Sequence, residues 1–226
     1  MSHLLSNLSK IIKRVGLTDL QVKNVYNFGS WVHQTNTETS DYDLIIVGDF
    51  PQKSKYTPKR YFHSYKLFKL EDLKCDVVLY SQSNFERLLE LSYFVAVECV
   101  FFPPQFILKN EIDFKKIYLD QYYSVKLIQQ SVLNENQYSH NWIYNHPGSS
   151  REIQYLNMKK LFNSFKYFEV AMQLLKFKEI KDFGSMAPFF FQMRKMWEES
   201  RPIDEIYEPI KSLEAEYLKA ISNFKE

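Results

Sequence analysis

The stretch Tyr42-Asp43-Leu44-Ile45-Ile46-Val47-Gly48 constrains the fold most tightly, because its apolar residues follow one another without polar alternation. A strand of that kind is buried on both faces and needs covering layers above and below its sheet. The neighbouring sequence supplies partners. Residues 22–28 alternate and are rich in β-forming side chains before Gly29 turns the chain. Residues 74–81 read as another strand, and the stretch Phe62–Leu70 is compatible with strand or helix. Upstream, Leu4, Leu5, Leu8, Ile11, Ile12 and Val15 stand at helical spacing until Gly16, which predicts one amphipathic helix over 3–15.

The remainder reads as helix. Apolar residues three and four apart run through 84–99, and Pro103-Pro104 closes that region. Helices are then expected over 112–133, 150–177, 186–199 and 204–224, with the polar stretch Asn134–Ser150 as a break. The chain thus divides into an α/β half, residues 1–110, and a helical half, residues 111–226. Between the strands, residues 50–61 contain Pro51, Pro58, Lys53, Lys55, Lys59 and Arg60, which predicts a loop whose cations either arch over phosphates or are simply solvated.

Charge and cysteines narrow the functional classes. With 29 basic and 27 acidic residues the net charge is only +2, so the chain lacks the overall electrostatic footprint of a nucleic-acid binder. It has no uncharged apolar run long enough to span a bilayer, and its first residues lack the apolar core of a secretory signal. Cys75 and Cys99 have no CxxC spacing, which argues against a zinc site or a disulfide framework. A cytoplasmic, reducing location without a membrane partner is the resulting expectation.

The chemistry is concentrated between Asn27 and Tyr80. Asp41 and Asp43 are two residues apart at the mouth of the apolar strand, so their side chains project to one side while Tyr42 points to the other. Such paired carboxylates are hard ligands suited to Mg²⁺ or Mn²⁺. Asp76, in the strand KCDVVLY, is the natural third carboxylate, with Glu71 and Asp72 as alternatives if the register differs. Gly29-Ser30 adds a turn where the backbone can approach a phosphate, and a short helix after it would direct its N–H groups there. His33 is read either as a phosphate or base contact or as a surface histidine. Cys75 should point away from the carboxylates into the core, and the aromatics of His140–His146 either stack on a ligand ring or pack on the core.

Gly29-Ser30, ten intervening residues, Asp41-Tyr42-Asp43-Leu44 and then Asp76 in an apolar strand resemble the pattern of the DNA polymerase β-like nucleotidyltransferase superfamily. The stretch GSWVHQTNTETSDYDLIIV looks like the minimal nucleotidyltransferases in particular. The resemblance implies an α/β (α+β) nucleotidyltransferase domain with a mixed sheet, followed by an α-helical C-terminal domain. It also implies Mg²⁺ or Mn²⁺ at Asp41, Asp43 and Asp76, and an NTP, with ATP expected, held by Gly29, Ser30 and Ser40. A nucleoside monophosphate would pass to an acceptor hydroxyl on tRNA or another RNA, a small molecule or a protein, with release of pyrophosphate. Helical domains of this kind often mediate dimers, so a homodimer is an open expectation. Where many members carry a Gly and a basic or aromatic residue after the Gly-Ser turn, this chain has His33-Gln34-Thr35. The alternative is a catalytically degenerate nucleotide-binding module acting through its helices.

Overall fold

The computed structural model describes residues 2–50, 64–70, 73–147 and 150–225. The chain forms two compact units, residues 1–91 with 95–122, and residues 92–94 with 123–226.

The first unit is built on a five-stranded sheet. Its strands are β1 (Val22–Phe28), β2 (Tyr42–Gly48), β3 (Ser64–Leu70), β4 (Leu73–Ser81) and β5 (Ile107–Asn110), in the order β3-β4-β2-β1-β5. β2 runs parallel to β4 and the other pairings are antiparallel, so the sheet is mixed. Leu44 to Val47 are wholly buried, as the unbroken apolar run requires.

One face of the sheet carries Val25, Leu44, Ile46, Cys75, Val77 and Leu79. It packs with Leu4, Ile11, Ile12 and Val15 of α1 (Ser2–Ser6) and α2 (Leu8–Arg14). The single helix expected over 3–15 is in fact two, because Asn7 leaves helical geometry at φ −103° and ψ 0° and turns its side-chain amide to the His3 carbonyl. The opposite face is aromatic. Tyr26 stacks on Phe85 at 5.9 Å, and Phe85 packs on Phe114 at 5.0 Å and Tyr80 at 6.1 Å. Phe85 sits on α3 (Gln82–Glu90) and Phe114 on α5 (Phe114–Ile117). Fully burying a side chain of this size contributes roughly 1.5–3 kcal/mol.

The helix expected over 84–99 breaks at Ser92, whose φ of +49° no continuous helix tolerates, and resumes as α4 (Phe94–Phe101). β5 had no counterpart in the sequence reading. It is fixed by Asn24, whose amide nitrogen donates to Asn110 Oδ1 at 2.6 Å and to the Ile112 carbonyl at 2.9 Å, while its oxygen accepts from Ile112 N–H.

The second unit is helical: α6 (Val125–Asn145), α7 (Arg151–Phe177), α8 (Ala187–Glu198) and α9 (Ile203–Ser222). Two boundaries differ from expectation. The predicted helix 112–133 is interrupted by a π-turn at Tyr118–Tyr122, and α6 restarts after Ser124, whose hydroxyl accepts from Leu127 N–H. The predicted break from Asn134 is instead helix as far as Asn145, since no Gly or Pro intervenes before Pro147. His140–Asn145 therefore lie on the last turns of a helix, with His146 capping it, not on a recognition loop. Phe162, Phe165 and Phe168 are core residues of α7. Among the described residues, no helix is long and apolar enough to cross a membrane.

Candidate functional site

Strand register decides which carboxylates meet. Asp43 on β2 and Asp76 on β4 are direct partners across the parallel pair, and Phe28, just before Gly29, is the partner of Asp43 on β1. Partners in one row share a sheet face, so Asp43 and Asp76 stand side by side on the aromatic-lined face. Burial falls along that face, from wholly buried Val47 to half-buried Asp43 and Asp76, and the row thus lies where the sheet emerges. Asp41 precedes β2 and is also half-buried.

Gly29 explains why the turn can sit beside Asp43. Its φ is +72°, and a Cβ at this position would lie 2.2 Å from Asp43 Oδ2. Only glycine satisfies both the left-handed backbone and the close approach. The residues after it form one turn and no regular helix: His33 N–H donates to Gly29 O, Thr35 N–H donates to Ser30 O, and Gln34 closes the turn at φ +57°. Ser30 is half-exposed at the start of this turn. Ser40 accepts from Thr37 N–H at 2.8 Å through its hydroxyl oxygen, which also lies 3.4 Å from the Thr37 hydroxyl, so the Ser40 side chain shapes the 37–40 turn.

Two contributors were not legible as such. Trp31 stacks on Tyr42 at 5.0 Å and 3°, and its indole N–H donates to the Asp41 carbonyl at 2.9 Å, tying the Gly-Ser turn to the start of β2. An aromatic residue directly after Gly-Ser was the available signal. Glu98 of α4 meets His33, Oε1 to Nε2 at 3.2 Å, with both side chains nearly inaccessible at 4% and 6%. His33 is therefore neither a phosphate contact nor a surface residue, but an internal strut beneath the turn. Nothing in sequence spacing links positions 33 and 98.

Cys75 points into the core with Leu44 and Val77, opposite Asp76. Burial, aided by the negative charge of Asp41, pushes its thiol up to about 11, which makes it a poor nucleophile at neutral pH. Lys53, Lys55, Lys59, Arg60, Glu71 and Asp72 lie outside the described residues.

The donor set fits a divalent cation in kind. Asp41, Asp43 and Asp76 offer hard oxygens, and the bare Gly29 leaves room for the Asp43 carboxylate. Among the described residues, no three His, Cys, Asp or Glu side chains converge into a finished metal cage.

Residues 5–110 match the family described as nucleotidyltransferase domain, a family of the DNA polymerase β-like kind. A nucleotidyltransferase-like protein from Exiguobacterium sibiricum is a similar solved structure, at 13% identity and a TM-score of 0.38, covering 85% of this chain. This chain spans 66% of that protein's length. No curated protein matches the chain.

Proposed function

We propose that the chain is a metal-dependent nucleotidyltransferase that moves a nucleoside monophosphate from an NTP, with ATP the expected donor, to an acceptor hydroxyl. The observation that carries this reading is the in-register pair Asp43 and Asp76 beside the left-handed Gly29 turn. Asp43 and Asp76, with Asp41 at the strand mouth, would hold Mg²⁺ or Mn²⁺. Bound there, the ion would neutralise charge on the phosphate oxygens and favour the pyrophosphate leaving group. Backbone N–H groups of the Gly29–Ser30 turn would face the triphosphate, and Trp31 keeps that turn aligned with β2. In the transfer, the acceptor oxygen attacks the α-phosphorus, its proton passes to Asp76, and the bond to the bridging oxygen of pyrophosphate breaks. Positioning and electrostatics of this kind account for most of the catalysis in phosphoryl transfer.

The test is transfer of label from each α-phosphate-labelled NTP, with Mg²⁺ or Mn²⁺, to RNA, small metabolites and protein, beside an Asp41→Ala/Asp43→Ala control. Label in one acceptor class that vanishes in the control supports the reading. Absence of label with all acceptors, while NTP and metal still raise the melting temperature, favours a nucleotide-binding module that has lost turnover.

A further inference from the structure

Glu98 is the single charged residue of α4, a helix that is otherwise apolar from Phe94 to Phe101. It is buried, so its carboxylate has left water, at a large cost in free energy unless it is paired. Its Oε1 meets Nε2 of His33, which is buried as well, at 3.2 Å. An apolar pair of similar volume commonly holds a fold as well as a buried ion pair, or better. What an apolar pair lacks is direction. A carboxylate facing an imidazole fixes where the residue that carries the ring can stand.

His33 stands where direction matters. Its backbone N–H donates to the Gly29 carbonyl at 3.3 Å and Thr35 N–H donates to the Ser30 carbonyl at 2.9 Å, so the carbonyls of the turn are occupied from within. The first N–H groups of such a turn have no acceptor inside it. Among the described residues, the N–H groups of Ser30, Trp31 and Val32 donate to no backbone carbonyl. Groups held in this way can face phosphate oxygens. The turn begins at Gly29, φ +72°, and closes at Gln34, φ +57°, and two side chains anchor it between those points. Trp31 ties it to the Asp41 carbonyl and the Tyr42 ring, and His33 ties it to α4 through Glu98. We propose that His33 and Glu98 are positioning residues for the nucleotide, which hold the N–H groups of the turn at the place the triphosphate requires. Neither side chain touches the substrate; the pair acts through the Gly29–Ser30 backbone and leaves Asp43 and Asp76 as they are. Its loss therefore weakens NTP binding and spares the rate of transfer once NTP is bound. This inference rests on the nucleotidyl-transfer reading above.

Two readouts on the full chain keep the two claims separate: equilibrium binding of each of the four fluorescently labelled NTPs with Mg²⁺, and kcat and KM for label transfer. In His33→Leu/Glu98→Leu an apolar pair replaces the polar one, and the melting temperature should stay close to that of wild type. The Kd and KM for NTP should nevertheless rise roughly tenfold, with kcat within about threefold of wild type. If the apolar pair does not fold, Glu98→Asp, which keeps the charge but withdraws the carboxylate by one methylene, is read in the same way, with an expected rise of roughly threefold in Kd and KM. Wild-type Kd and KM in the folded variant, or a loss that falls on kcat, overturns the positioning role and leaves transfer standing. Absence of transfer by a wild type that still binds NTP overturns the catalytic reading, and the binding readout then decides the pair. A wild type that neither binds NTP nor transfers label overturns both.

Discussion

The two units place their carboxylates in opposite electrostatic settings. In the α/β unit, Asp43 and Asp76 are set side by side on one sheet row. In the helical unit, Glu214 of α9 is surrounded by donors. Its Oε1 accepts from Asn136 at 2.7 Å and meets His140 Nε2 at 2.8 Å, and its Oε2 accepts from Tyr207 at 2.5 Å. Asn136 in turn accepts from Ser164 of α7, so the cluster ties three helices together. The contrast teaches that the second carboxylate is enclosed by hydrogen-bond donors that stabilise the helical unit, whereas the first two stand in register on one sheet face, the arrangement on which the proposed chemistry rests.

The largest effect should come from disturbing the ground beside Asp43. Gly29→Ala is expected to reduce nucleotidyl transfer on the order of a thousandfold, equivalent to about 4 kcal/mol, because the new Cβ displaces the Asp43 carboxylate. Single-turnover rates compared with the melting temperature would separate that loss from unfolding. A smaller effect, about 3 kcal/mol of stability, should follow Glu98→Ala, which leaves His33 without its buried partner. Urea unfolding measures it. A value near zero would mean that the α/β unit contains no internal strut comparable to the Glu214 cluster.

Glu214→Gln should cost less, about 1–2 kcal/mol, and leave transfer unchanged. The pH dependence sharpens this case. The Glu214 hydrogen bond raises His140 above its ordinary 6.5, so its contribution is complete below 6.5 and is lost as pH rises through the folded value. Burial alone would raise Glu214, but hydrogen bonds from His140, Tyr207 and Asn136 outweigh it and hold the carboxyl below 4.5. That contribution is present above 4.5 and is lost as pH falls through the folded value. The cluster therefore stabilises the helical unit most between about pH 4.5 and 6.5; the melting temperature of wild type should fall on both sides of that window, and that of Glu214→Gln should change less with pH there. Smallest is Arg201→Ala, which removes an exposed pair with Glu205 and should change stability by only a few tenths of a kcal/mol.

Legibility follows the range of the forces involved. β1, β2 and β4 could be read from local alternation and an apolar run, and α7 from periodicity over many turns. The mixed sheet followed by helices came from the resemblance, and the fold agrees with it. The break at Asn7, the left-handed Ser92 and the four-residue β5 depend on single side chains or partners distant in sequence. The extension of α6 to Asn145 was obscured by polar residues that a helix tolerates when one face is covered, as it is at Ser139. At the candidate site, residue types could be read from the sequence but neighbours could not. Register alone makes Asp43 and Asp76 partners, and the His33–Glu98 contact joins segments with no shared motif.

The most direct test of the central claim is the rate of label transfer from α-labelled ATP with Mg²⁺ by wild type and by Asp76→Asn, each checked for an unchanged melting temperature. The account predicts transfer by wild type and a fall of on the order of a thousandfold in the variant. Wild-type rates in Asp76→Asn would contradict it.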